Sequence, residues 1–300
     1  RGISCDLREC DSYVYSADGD TLAKEVEAAR KLGVDAVLEK RISLPVACAG
    51  AVCFHGQAEF HPLKFIGALA EELEIYEDTP VKEVEEHLVK TPGGSVRADK
   101  IVFAVHFPFI NFPGMYFARM HQERSYVLAL ENAGTVDGLY IGEGEDVLSF
   151  RQYKQYLLLG GQAHRTGENR EGGRYEKLKE AAGKMYPESR IAACWSAQDC
   201  MTTDHVPFIG LYAADRLDWY VATGFCKWGM SSAMVSAMLL KDMVCGINNP
   251  YTEVFAPSRF SGEEIPQLLE DTGNIKYQGQ IKKWYDGYCF GKTEIYCPWD

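Results

Sequence analysis

The stretch Trp219 to Val244, WYVATGFCKWGMSSAMVSAMLLKDMV, decides the fold. Its apolar run ends at Thr223, Gly224 and Gly229 bracket a short turn, and a methionine-rich segment follows at helical spacing. This pattern predicts a strand, a tight turn and a buried helix. Glycines in such a turn let backbone approach a flat ligand, and the helix N-terminus offers free N–H groups and positive potential to a carbonyl or an anionic ring. Spacing alone describes a plain strand-to-helix turn over a core helix equally well.

Outward from that stretch, LAKEVEAARKL (22–32) carries apolar residues at helical spacing and ends at Gly33, which predicts a surface helix. LKFIGALAEEL after Pro62 reads as a second helix, EIYEDTPVKEVEEHLV alternates as strands, and ADKIVFAV (98–105) is a continuous apolar run expected as a buried strand. Together these predict a layered α/β domain. The pieces RSYVLAL, GLYIG, LSFRQY and YLLLGG, between 124 and 161, predict an inserted antiparallel sheet, and Tyr175 to Met185 a further amphipathic helix.

The 300 residues suggest about two domains. Apolar residues at 46% and charged ones at 25% are an ordinary globular mixture, which excludes fibrous and disordered classes. A net charge of −12 would repel a phosphate backbone, so nucleic acid is not an expected partner. The apolar region from Ile101 to Ala118 is interrupted by His106, Pro108, Asn111 and Pro113, and no membrane span is expected. Ten cysteines are too few for a disulfide scaffold, so reduced thiols in a cytoplasmic setting are expected. No CxxC, HExxH or Cys-x-His ligand pair is picked out, so a zinc or iron–sulfur site is not expected and no metal is read from the sequence.

Taken in order, HPLKFIGALAEEL, TPVKEV, ADKIVFAVH, SFRQYKQYLLLGG, WSAQDCMTTDHVPFIG and TGFCKWGM resemble segments of the FAD-dependent amine oxidoreductases of the D-amino-acid oxidase and glycine oxidase superfamily. The resemblance covers residues 1–260. It implies an α/β chain with a truncated FAD/NAD(P)-binding Rossmann-like fold and an inserted antiparallel-sheet substrate domain. The implied segments are 1–57 and 108–190 for the substrate domain and 58–107 and 191–260 for the FAD-binding domain. The implied cofactor is FAD, and the implied reaction is oxidation of a C–N bond in an amine or amino acid.

By the same resemblance, Val81 lies beside the adenine half of the cofactor and Ala104, Val105 and His106 at the end of the strand returning to the flavin. Thr223, Gly224, Phe225, Cys226, Lys227, Trp228, Gly229 and Met230 form the turn under the isoalloxazine. Trp195, Thr202, Asp204, Pro207 and Gly210 carry the family's Trp-to-Asp signature. Three departures matter. No GxGxxG occurs in the sequence, so the chain is expected to lack the βαβ unit that cradles the pyrophosphate and to retain FAD poorly. His106 and His205 stand where the family has small glycines. Asp199 stands at or near the arginine that clamps a substrate carboxylate, which suits a second ammonium group on an amine or polyamine-like substrate. An ordinary surface acid, displaced by one residue, is the alternative.

Candidate catalytic residues are Lys227, a cation inside the flavin turn, and Arg151, on the hairpin that the resemblance makes the roof of the site. Arg165, after that hairpin, is with Asp199 a candidate for substrate contact. A lysine snorkelling to solvent and arginines in structural roles are the competing readings. His61, just before Pro62, is expected to cap a helix. The electron acceptor is left open, and a non-catalytic interaction module built on the same fold is the alternative function.

Residues 261–300 resemble a segment of AAA-ATPase-like proteins through WYDGYCFG and IYCPWD, without that family's nucleotide-binding region. GYCFGKT has three residues between its glycines where a phosphate-binding loop needs four, so no nucleotide site is expected there.

Overall fold

From the N-terminus the chain forms β1 (Arg8–Ser16), α1 (Gly19–Lys31), β2 (Ala36–Glu39), β3 (Gly50–Glu59) and α2 (Pro62–Ala70). Four short strands follow: β4 (Glu83–Glu85), β5 (Leu88–Thr91), β6 (Gly94–Arg97) and β7 (Ile101–Phe103). Next come β8 (Met120–Glu131), β9 (Leu139–Gly142), β10 (Ser149–Tyr153), β11 (Tyr156–Arg165), α3 (Arg174–Met185) and β12 (Arg190–Thr202). The last stretch carries β13 (Phe208–Leu211), β14 (Trp219–Thr223), α4 (Gly229–Val244) and the single turn α5 (Thr252–Phe255). This computed structural model describes residues 2–144, 147–168 and 171–259, and a two-residue strand pair at Cys289–Phe290 and Thr293–Glu294. Apart from that pair, the AAA-ATPase-like segment and the GYCFGKT reading lie outside the described residues.

Two compact units emerge. Arg1–Ile75 associates with Glu123–Gln198, and Tyr76–Gln122 with the described residues from Asp199 onward. The chain crosses between them near residues 75, 122 and 198, each some way beyond the boundaries expected at 57, 107 and 190.

The first unit is built on a sheet ordered β12-β8-β11-β10-β9-β1-β3-β2, antiparallel throughout the described pairings except for the parallel pair β1 and β9. One face of its hydrophobic core is Leu128, Leu130, Phe150, Leu157 and Leu159, on which α3 sets Leu178 and Ala182. Each such buried leucine or phenylalanine contributes about 1.5–3 kcal/mol relative to exposure. A second cluster seats Leu22, Val26 and Ala29 of α1 on Ala36 and Val52. The Asp18 side chain caps α1 by accepting from the Asp20 and Thr21 N–H groups, and Gly33 follows its end at φ +77°.

In the second unit a three-stranded sheet, β13-β14-β7, pairs β14 antiparallel with β13 and parallel with β7. Every residue of β14 is buried. Phe103, Tyr116, Tyr212 and Trp219 interlock on one side of this sheet, and Leu239 and Leu240 of α4 pack with Ile209, Tyr220 and Ala222 on the other. A separate antiparallel meander, β4-β5-β6, completes the unit.

Two expectations are corrected here. The helix expected to be buried is covered on one side only: Met230, Met234 and Met238 repeat every fourth residue and are 38%, 52% and 65% exposed. The apolar run 98–105 shortens to three paired residues at a sheet edge, with Phe103 buried and Val102 exposed. Both uncovered surfaces belong to the same unit. Hydropathy registers apolarity without recording whether a neighbouring strand or helix lies against it.

Candidate functional site

The turn between β14 and α4 is held in an unusual backbone conformation by three residues. Gly224, Cys226 and Lys227 have φ of +70°, +48° and +70°, two of them side-chain-bearing residues in the left-handed region. Gly224 is required by space as well as by φ, because a Cβ there would lie 2.4 Å from Thr202 Cγ2 and 3.1 Å from Met120 Sδ. Among the described residues, nothing lies in front of Gly229, the first residue of α4, and no side chain caps that helix end. A glycine with nothing in front of it and an uncapped helix N-terminus together leave backbone N–H groups able to receive an anionic or carbonyl edge.

Hydrogen bonds tie this turn to the strand exit expected beside a cofactor. The His106 carbonyl accepts from Thr223 Oγ1 and from Cys200 Sγ, both at 2.9 Å. The Cys226 N–H donates to the Cys200 carbonyl at 3.0 Å, and the Cys226 sulfur lies 3.3 Å from Thr202 Oγ1. The Cys226 thiol is therefore directed into the protein, leaving its backbone as the surface available to a ligand. Burial pushes the Cys200 thiol up to about 11, with the hydrogen bond to Gln122 opposing that shift. Ala104, His106, Lys227, Trp228 and Met230 are exposed, Val105 and Phe225 are half-buried, and Val81 is exposed ahead of β4.

The signature residues have structural partners. Asp204 accepts from Arg259 Nε at 2.8 Å, from Arg259 Nη2 at 3.1 Å and from the Val206 N–H at 3.1 Å. Desolvation alone would raise the Asp204 carboxyl, but Arg259 and the Val206 N–H hold it below the usual carboxylate range. His205, beside it, takes φ +57°, the conformation a glycine would adopt without strain. Asp199 is half-buried on β12 next to Cys200.

In the first unit, Arg151 donates from Nε to Glu59 Oε2 at 2.9 Å and from Nη2 to the Phe60 carbonyl at 3.2 Å. Glu59 also receives Arg8 at 2.8 Å, so two arginines share one carboxylate that is 10% exposed. This places Arg151 as a cross-strand anchor between β10 and the end of β3. Arg165 closes β11 opposite Glu123, 3.8 Å from Glu168. His61 accepts the Lys64 N–H and caps α2, with Pro62 in the first turn.

Three features lay outside the sequence reading. Gln162 sits on β11 at φ +57°, where pairing with β8 breaks between Gly161 and His164; it is 8% exposed and its Oε1 has no partner among the described residues. The GlyGlyGln run at 160–162 is the signal for that bulge. Cys53-Phe54-His55 is a Cys-x-His pair, which corrects the expectation that none occurs, and the fold brings Asp11 within reach of both. Finally, a cleft of about 540 Å³ in the second unit is lined by Glu85, His87, Arg97, Phe112, Arg216 and Trp219 among others, and none of the expected cofactor residues lines it.

The turn, the pinned strand exit and the open glycine leave backbone N–H groups facing a free edge, and residues so arranged would fit a flavin-type ring. Residues 1–243 match the family model for FAD dependent oxidoreductase. The "Putative Rieske 2Fe-2S iron-sulfur protein YhfW" of Bacillus subtilis (strain 168) is 34% identical over 276 residues, which cover 86% of this chain and 54% of that protein. The chain thus spans about half the length of this curated relative. Among solved structures, glycine oxidase from Geobacillus kaustophilus superposes with a TM-score of 0.75 at 18% identity, covering 87% of this chain and 78% of that one. L-proline dehydrogenase from P. horikoshii superposes with a TM-score of 0.72 at 19% identity, covering 85% and 78%. These likenesses show a shared fold. By sequence and by fold, the chain belongs to the FAD dependent oxidoreductase family.

Proposed function

We propose that this chain carries the flavin-facing turn and the substrate sheet of an oxidoreductase that oxidises a C–N bond in an amine or amino acid. The observation that carries the reading is the turn from Thr223 to Met230, with its left-handed Cys226 and Lys227 and its unobstructed Gly229 at the start of α4. FAD, when bound, supplies the ring that accepts a hydride from the carbon bearing the amine. Backbone from Thr223 to Met230 and from Ala104 to His106 would hold that ring, with Val81 toward the nucleotide. Lys227 brings a cation to the turn, where it would stabilise negative charge developing beside it.

For the substrate, Asp199 supplies a carboxylate suited to a second ammonium group. Arg165 is the remaining candidate for a substrate carboxylate or carbonyl. Arg151, engaged by Glu59 and Phe60, serves the sheet.

The exposed stripe Met230, Met234 and Met238 and the uncovered Val102 support a further element of this reading: a βαβ unit carrying a phosphate-binding glycine motif completes the flavin-binding domain. The name of YhfW suggests a 2Fe-2S centre as the electron acceptor. The same methionine stripe, with exposed Trp228, favours one rival reading, a non-catalytic interaction module.

Bleaching of flavin absorbance under anaerobic conditions tests the reaction. In a chain joined to a βαβ unit, diamines should bleach the flavin faster than their carboxylated counterparts. Bleaching by no amine or amino acid would contradict the assignment, and preference for the carboxylated partner would contradict the role of Asp199.

A further inference from the structure

Asp11, Cys53 and His55 stand together because two neighbouring strands present them on one face. In the β1–β3 pairing Tyr13 lies opposite Cys53, and side chains alternate along each strand, so Asp11 shares the face of Tyr13 and His55 shares the face of Cys53. The pairing slips between Cys10 and Ser12, and Gly56 takes φ +65° directly after His55. This irregularity lets Asp11 reach diagonally. Asp11 Oδ2 lies 3.0 Å from His55 Nδ1, and Cys53 Sγ lies 3.7 Å from the same nitrogen. All three donor atoms fall within 4.8 Å of one another.

Those separations have chemical meaning. Zinc bonds of 2.0–2.3 Å in a tetrahedral arrangement place neighbouring ligand atoms about 3.3–3.7 Å apart. The sulfur–nitrogen separation of 3.7 Å already falls in that range, and the nitrogen–oxygen pair at 3.0 Å needs to open by only a few tenths of an ångström, so one nitrogen, one sulfur and one carboxylate oxygen offer three corners of such a site. Around them stands an ordered surround: Tyr13, directly opposite Cys53 across the strand pair, stacks on Tyr140 with centroids 4.5 Å apart and planes 8° from parallel. The Tyr140 hydroxyl donates in turn to Asp137 at 2.5 Å. Partners of this kind orient first ligands and tune their affinity.

We propose that Asp11, Cys53 and His55 form a mononuclear zinc site that clips β1 to β3, with water at the fourth position. Cys53 is buried while Asp11 and His55 remain partly exposed, so the metal enters from the solvent side and keeps an open corner there. Zinc takes the thiolate, the imidazole Nδ1 lone pair and the carboxylate, and the thiol proton leaves to water. A carboxylate and a thiolate balance the charge of Zn²⁺. A 2Fe-2S centre with two cysteine and two histidine ligands needs a second such pair, which this trio does not supply.

Cobalt titration of the complete chain tests the site. One equivalent of Co²⁺ should give an intense near-ultraviolet thiolate-to-metal band with visible d–d bands of tetrahedral strength, and Zn²⁺ should erase both. Cys53→Ser should abolish the thiolate band. His55→Asn, at an exposed position, should keep the fold and weaken cobalt binding more than about tenfold, since even outer partners of a ligand cost that much. Absence of the band in the wild-type chain, its persistence in Cys53→Ser, or undiminished cobalt affinity in His55→Asn would overturn the proposal.

Discussion

Arg259 grips Asp204 through two nitrogens, Nε and Nη2, at 2.8 and 3.1 Å. The same guanidinium also donates to the carbonyls of Val206, Pro207, Phe255 and Ala256, and its carbon stands 4.3 Å from the Phe208 ring centroid. Arg119 stands over that ring at the same distance, so Phe208 lies between two cations. The signature aspartate is thus the carboxylate that seats an arginine, and through it the turn into β13.

Asp204→Asn should lower stability by about 1–2 kcal/mol in denaturant titration, the range for a charge-assisted hydrogen bond discounted for partial exposure. The sign of the pH effect follows from the carboxyl being held below its usual range. The pair stabilises the fold above the unfolded carboxylate value near 3.9, and that contribution is lost as pH falls through the lowered folded value. The acid limb of the stability profile should therefore flatten in the variant.

Gly224→Ala should cost about 2–4 kcal/mol, combining a left-handed φ with a methyl group driven into Thr202. Thr202→Ser removes the Cγ2 methyl and keeps the hydroxyl beside Cys226. The double variant should recover part of the loss in thermal unfolding, while equal losses in single and double variants would place the cost in the backbone alone.

Gln162→Leu should raise stability by about 1 kcal/mol, because a buried carbonyl oxygen without a donor carries a penalty of roughly that size or more. Thermal unfolding checks it, and a drop in melting temperature would assign the Gln162 side chain a structural role.

Arg151→Gln should lower stability by about 1 kcal/mol, since Glu59 keeps Arg8 but loses its second partner. Substrate KM and kcat should stay within about twofold of the parent, a change of under about 0.5 kcal/mol. A large fall in kcat with unchanged stability would return Arg151 to the chemistry.

Much of this architecture was legible in the residues. Asp18 and Gly33 mark the ends of α1, His61 and Pro62 start α2, and the turn at 223–230 falls where its glycines stand. The uncovered side of α4 was not legible, because Met234 and Met238 read the same whether a partner lies on them or not. Asp11 was hidden for a different reason. It joins His55 from 44 residues away only through strand pairing and a register slip, neither of which local spacing records. Arg151 shows the opposite difficulty, since an arginine on a roof hairpin looks chemical until Glu59 is seen beneath it.

The central claim is that the turn from Thr223 to Met230 holds a flavin once the binding domain is complete. An FAD absorbance titration of the chain joined to a GxGxxG-bearing βαβ unit tests it most directly, with the unjoined chain and a joined Gly229→Val variant beside it. Gly229 faces open space, so valine there should leave the fold intact while filling the cradle. Stoichiometric binding by the joined chain, weak binding by the chain alone and loss of binding in the variant are expected. No binding by the joined chain, or equal binding by its Gly229→Val form, would contradict it.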